Sequence, residues 1–280
     1  MRNPNVPESL DGWHILHRMF RFDRHRWEQL SGMQRDDLAR QSTQALLQLH
    51  AAYDGDVSVA QLLGHKADLM LTHYARSFEQ LAVLETKIDS LGMSAFLRPV
   101  YSYLSVLELG LYEATAQMHK TLEAQGLEPH SEAWIQAFDA LLLEQTREPR
   151  NGVRLWAKVP HRRYVCFYPM NKRRGETYNW YATPYEDRNR MMREHGKIGR
   201  TYHGLVNQVI SGSTGFDEYE WGVDLYADDP LVFKNLIYEM RFDEASARYG
   251  EFGPFYNGIQ FSIAEFGTFL KGDVLPRLLD

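Results

Sequence analysis

Two apolar rhythms alternate along the chain, and their order most tightly limits its fold. Residues 13–22 are dense in aromatic and aliphatic side chains, which predicts a strand. Residues 35–51 carry Leu38, Ala45, Leu46 and Leu49 at helical spacing. A strand-like run follows over 67–74. Residues 77–91 read as a helix with Leu81, Leu84 and Ile88 on one face, and 97–109 as another strand. Two helices, 113–127 and 131–146, are joined by Glu128-Pro129-His130. The second half repeats the order. A strand spans 163–171. Thr183-Pro184-Tyr185-Glu186 predicts a helix start, with Thr183 as N-cap, Pro184 at the first helical position and Glu186 closing a capping box. That helix runs to about residue 194, where Gly196 and Gly199 end or bend it. Strands over 206–211 and 219–226 are joined by Gly212-Ser213-Thr214-Gly215. Asp229-Pro230 opens a helix to about residue 243, and a final strand closes the chain over 256–270. Each half therefore reads strand, helix, strands, helix, strand, which predicts an α+β chain of two ferredoxin-like units. The unpatterned, charged stretch 147–151 marks the boundary between them, dividing the chain into 1–150 and 151–280.

Charge and cysteine content narrow the function classes. Lys and Arg total 31 against 37 Asp and Glu, a net charge of −6, which argues against bulk charge-driven binding to nucleic acid or an anionic membrane. A single cysteine, Cys166, allows no intrachain disulfide and no CxxC motif. Residues 1–12 lack the apolar core of a secretory signal, and no apolar run approaches the roughly 18 residues of a membrane span. A cytoplasmic protein is expected.

Against that acidic background, residues 161–174 hold five Arg or Lys and no acid. Strand alternation sets Tyr168, Met170 and Lys172 on one face, and Pro169 predicts an edge strand or a bulge. Either this is a solvated basic strand end with Tyr168 packed inward, or it is a pocket for a polyanion neutralised by Lys172 and its arginine neighbours. His195 falls near the end of its helix. It either interacts with the helix dipole or serves as an axial ligand to iron, with the flanking glycines admitting a flat macrocycle. Arg241 and Ser246 could clamp a carboxylate or merely cap a helix laced with ion pairs. Gln208, on a half-buried strand, says nothing alone. His14 and His17, three apart on a strand, face opposite sides and make a poor metal pair. Cys166 reads as a small buried hydrophobe. No HExxH, Walker loop, GxGxxG or GxSxG motif is present.

Taken together, several stretches in fixed order resemble the chlorite dismutase superfamily. They are Tyr168-Pro-Met-Asn-Lys172-Arg, Tyr178-Asn-Trp-Tyr181, Glu194-His-Gly-Lys-Ile-Gly-Arg200 and Tyr238-Glu-Met-Arg-Phe-Asp-Glu-Ala-Ser246-Ala-Arg. More narrowly they resemble its peroxide-dependent coproheme decarboxylases, and Gly12-Trp-His-Ile-Leu-His-Arg-Met-Phe extends the likeness to the whole chain. The resemblance implies two ferredoxin-like halves forming a dimeric α/β barrel within one chain, a porphyrin pocket in the C-terminal half, and a homopentamer. It implies oxidative decarboxylation of the propionates at positions 2 and 4 of iron-coproporphyrin III, giving haem b with hydrogen peroxide as oxidant. His195 then resembles the axial iron ligand, Tyr168 the radical-forming tyrosine, and Lys172 the cation assisting the second decarboxylation. Pro169, Met170 and Asn171 lie in the same binding stretch. Arg154 and Ser246 match propionate-binding positions, Gln208 the position above the iron, and Arg241 the same wall. True chlorite dismutases carry arginine where this chain has Gln208, so the resemblance favours the decarboxylase branch. The competing readings are a haem-binding or transfer protein without chemistry, and a chlorite-degrading peroxidase.

Overall fold

The computed structural model describes residues 5–279, so the first four residues of the stretch weighed as a secretory signal lie outside the described residues. The structure is a mixed α+β fold built, among the described residues, on nine antiparallel strands: β1 (Ser9–Phe22), β2 (Asp56–Leu62), β3 (Leu69–Ala75), β4 (Leu97–Gly110), β5 (Tyr164–Lys172), β6 (Asn207–Gly212), β7 (Trp221–Ala227), β8 (Gly250–Phe252) and β9 (Tyr256–Phe261). Their order is β7-β6-β4-β1-β3-β2-β9-β5-β8, and β5 also pairs with β7. The ladder therefore returns to its own start through eight strands, with short β8 beside β5. Two seams join early strands to late ones. One is β2 with β9, where Val59 faces Phe261; the other is β4 with β6, where Val106 faces Gly212.

Side-chain alternation sorts residues to the two faces of this ring. Met19, Ala60, Met70, Tyr103, Val165, Phe167 and Tyr226, from six strands, form one inner cluster. His17 is buried among them, stacked on Phe167 at 4.1 Å, with its Nε2 at 3.0 Å from both carboxylate oxygens of Asp224. The outer face is covered by helices. Gly32–Ala51 and Phe266–Lys271 pack Leu46, Phe266 and Phe269 on one part of it; Leu231–Met240 packs Phe233 and Leu236 on another.

Most predicted elements form, and the differences have local causes. Strand β2 is not among the strands that the sequence pattern predicts. The stretch 147–151 is not unpatterned: Pro149 sits at the start of a helix, Pro149–Leu155, where its missing N–H costs nothing. The last strand stops at Phe261, and a short 3-10 turn and the helix Phe266–Lys271 follow. Its phenylalanines suit either element, and they turn helical to fill the apolar face against Gly32–Ala51. Strand β5 is not an edge. Its neighbour changes from β9, paired through Phe167, to β8, paired from Met170. Pro169 occupies the handover, where its carbonyl accepts from Gly253 N–H at 2.8 Å and no ladder donor is needed.

Candidate active site

Val165 and Phe167 of β5 face the ring interior, while Cys166, Tyr168 and Met170 join the outer cluster. Tyr168 is 5% exposed. Its ring stacks on Phe255 at 4.7 Å and lies 5.8 Å from Phe252. Burial pushes its phenol well above the usual tyrosine range, with Cys166 adding to the rise and Arg241 opposing it, so the group keeps its proton. Lys172, two residues past Met170, is also buried. Its Nζ rests 4.7 Å over the Trp180 ring. Burial pushes this ammonium down to about 8, with Asp243 and Glu220 pulling the other way.

His195 comes from the helix Tyr185–Thr201, which continues through Gly196 and Gly199 without ending there. Two glycines cost such a helix only about 1 kcal/mol each, and packing offsets that. Nor does the capping box form. Thr183 Oγ1 instead donates to Asn179 O at 2.8 Å and approaches the Tyr249 hydroxyl at 3.2 Å, leaving Pro184 at the cap. Gln208 reaches from β6 toward this helix: a Cβ placed on Gly199 would make ordinary contacts with Gln208 Nε2 at 3.4 Å and Met240 Cε at 3.7 Å.

The preceding helix, Leu231–Met240, ends earlier than predicted, and Asp243 instead caps a new one, Glu244–Tyr249. Its Oδ1 accepts from Ser246 N–H at 3.1 Å, and its Oδ2 lies 3.0 Å from His195 Nδ1. Burial pushes the Asp243 carboxyl up, but the hydrogen bond and charge of His195 and the Ser246 N–H outweigh it and hold the group below its ordinary range. A carboxylate can only accept, so the neutral ring carries its proton on Nδ1 and presents a free lone pair on Nε2. His195 is the more open partner, 27% exposed against 4% for Asp243.

Of the remaining residues, Arg241 is exposed at the end of Leu231–Met240, with its guanidinium 3.9 Å over Phe252. The predicted ion pair on the following helix exists, Arg248 to Glu244 at 3.0 Å. Asn171 turns to β7, where its Oδ1 accepts from Glu220 N–H at 2.8 Å. Arg154 stands apart on the last turn of Pro149–Leu155, exposed, and no hydrogen bond or ion pair among the described residues ties it to the others.

Sequence reasoning missed Asp243 as the partner of His195, and also Trp180, Glu220 and the Phe252–Phe255 wall. The run Asp243-Glu244-Ala245-Ser246 is an N-cap signal, acid first and acid in the first turn. Reading it so would have broken the helix there. Trp180 lies in the family-like stretch Tyr178-Asn-Trp-Tyr181 but had no assigned role, and Glu220 and the Phe252–Phe255 wall come from segments distant in sequence.

The assembled donors suit one kind of metal centre. Among the described residues no group of three or more His, Cys, Asp or Glu could hold a bare ion. A porphyrin iron already has four nitrogen ligands, so one oriented imidazole completes its protein ligation. The apolar wall of Tyr168, Met170, Phe252 and Phe255 fits a flat macrocycle, and Lys172 and Arg241 offer charge for carboxylates. A small cavity of about 20 Å³ elsewhere, between Gly32–Ala51 and strands β2 and β3, shares no residue with this cluster. Its most buried imidazole, His73, is pushed down to about 3 by burial and has no carboxylate hydrogen bond among the described residues to orient it.

The chlorite dismutase family profile matches residues 35–261 of this chain. A coproheme decarboxylase of Staphylococcus saprophyticus is 40% identical over 263 residues, covering 91% of this chain and 94% of that protein. A structure described as a novel heme-binding protein from Thermus thermophilus shares 36% identity at a TM-score of 0.79, covering 97% of this chain and 100% of that one. A chlorite dismutase variant from Candidatus Nitrospira defluvii in complex with cyanide has a TM-score of 0.69 at 18% identity, covering 93% and 95%, a likeness of fold.

Proposed function

The chain belongs to the chlorite dismutase family, and from that premise we propose its activity as an enzyme, a hydrogen peroxide-dependent coproheme decarboxylase. It converts two propionates of iron-coproporphyrin III to vinyl groups, giving haem b. Each conversion consumes one propionate, one peroxide and one proton, and yields a vinyl group, carbon dioxide and two waters. The porphyrin is substrate and cofactor at once, and its iron supplies the oxidising chemistry.

One observation carries the reading. A carboxylate-anchored imidazole, His195, rides on a helix whose Ile198 packs into the same outer cluster as the buried phenol of Tyr168, and its partner Asp243 acts on the buried ammonium of Lys172. In this reading His195 Nε2 holds the iron. Tyr168, protonated at rest, gives up its phenolic proton and an electron, and as a radical takes hydrogen from a propionate. Lys172 offers a cation to the second propionate. Arg154, Arg241 and Ser246 contribute to carboxylate binding, and Pro169, Met170 and Asn171 shape the strand under the ring. Gln208, a neutral amide, holds no charge over the iron, which disfavours oxychlorine chemistry.

The same reading takes the ring of strands as a barrel of two ferredoxin-like halves dividing near residue 150, with the porphyrin in the second, the whole assembling as a homopentamer in the cytoplasm. Among the described residues no helix is long and apolar enough to cross a membrane.

The test is a peroxide titration of the protein with iron-coproporphyrin III, followed by mass spectrometry of the porphyrin. Two successive losses of carbon dioxide plus two hydrogens are expected. Tyr168→Phe should bind coproheme and make no haem b. The Thermus heme-binding relative favours a second reading, a porphyrin carrier. Tight binding with unaltered porphyrin in the wild-type protein would support it.

A further inference from the structure

Glu220 is buried at the entrance to β7, 7% exposed, and nothing in the proposed chemistry uses it. It meets the catalytic strand where that strand loses its neighbour. The β5–β7 ladder ends at Met170 opposite Trp221, and beyond it Asn171 and Lys172 pair only with β8, on the other side. The side chain of Glu220 replaces the missing strand. Its Oε2 accepts from Lys172 N–H at 3.0 Å, and its own N–H donates to Asn171 Oδ1 at 2.8 Å. Its carbonyl accepts from Ser213 N–H at 2.7 Å, which pins it to the β6–β7 turn. The Oε1 of the same carboxylate lies 3.8 Å from Arg174 Nη1, and Arg174 is bridged to Asn179, next to Trp180, the ring on which the Lys172 ammonium rests. Trp180 N–H in turn donates to Arg173 O at 2.9 Å. One carboxylate thus holds the backbone of Lys172 and stands in ion-pair range of the turn that carries the platform for its side chain.

We propose that Glu220 is a positioning residue for the second of the two decarboxylations, acting by fixing where the Lys172 ammonium stands relative to the remaining propionate. This rests on the decarboxylase reading and on Lys172 serving the second step. The specific geometry matters because a displacement of about 1 Å in a reacting group can cost about a hundredfold in rate.

The experiment has two readouts. The first is amide hydrogen exchange at Lys172 in the protein without porphyrin. Its N–H should exchange at least about tenfold faster in Glu220→Ala and return toward the wild-type rate in Glu220→Gln, whose amide oxygen still accepts the bond. The second is the ratio of monovinyl to divinyl product under peroxide. Glu220→Ala should keep the first step within about twofold and slow the second about tenfold or more, so that the monovinyl porphyrin accumulates, with Glu220→Gln restoring most of the loss. Unchanged exchange at Lys172, or equal slowing of both steps, would overturn the proposal. If Glu220→Ala does not fold, Glu220→Asp, one methylene shorter, carries the same test. Wild-type protein that leaves coproheme intact would instead defeat the decarboxylase reading, and the exchange result would still judge the grip on Lys172.

Discussion

Two histidine–aspartate pairs in this molecule have the same 3.0 Å separation and opposite uses. His17 and Asp224 sit inside the ring of strands, both at 0% exposure. His17 spends Nε2 on the carboxylate, and its Nδ1 is buried without a hydrogen-bond partner among the described residues. His195 spends Nδ1 on Asp243 and is the more exposed side chain of its pair. Which nitrogen is tethered separates an internal brace from the imidazole proposed to hold the iron. The surroundings differ as well. His17 lies between aromatic rings that fill the ring's centre, whereas Asp243 also caps a helix and shares its field with Lys172.

Breaking the inner pair should have the largest effect. His17→Ala leaves Asp224 buried without its partner, and a cost of about 3–5 kcal/mol is expected in chemical denaturation. The absorption spectrum of the coproheme complex should not move in whatever fraction stays folded. A spectral change would make His17 part of the site after all.

Next in size is the cation beside the outer pair. Lys172→Met should raise thermal stability, by at most about 3 kcal/mol at neutral pH, while slowing the second decarboxylation. The lysine binds its proton less tightly folded than unfolded. The penalty for burying the charge is therefore full below pH about 8 and fades as pH rises toward 10.5, and the advantage of methionine should fade over that window. A stability gain that persists above it would point to packing rather than charge.

The smallest effect should come from the tether itself. Asp243→Ala is expected to weaken coproheme binding by about 10–100-fold as the imidazole loses its orientation, and to cost about 1 kcal/mol of fold stability through the lost cap. Equal affinity in titrations of the two proteins would mean that packing alone aims His195.

Much of the scaffold was legible because strands and helices of this length write their period into the chain. The shared face of Tyr168, Met170 and Lys172 followed from alternation alone. The partners of those residues did not. Asp243 reaches His195 from 48 positions away, and Glu220 reaches Lys172 from the same distance. Such pairings depend on how strands are ordered in the sheet. Pro169 shows the same limit: proline predicts a gap in the ladder, and the gap is real, yet it lies between two successive neighbours rather than at an edge. Thr183 had the right chemistry for a cap and found nearer partners in Asn179 and Tyr249.

The two seams of the ring also bear on how the chain reaches this state. Val59 must find Phe261, and Val106 must find Gly212, across long stretches of the sequence. Contacts that distant incur their loop-closure entropy before they return any energy, which places this topology among slow folders. During synthesis β2 must wait, with one side unpaired, until β9 has emerged from the ribosome.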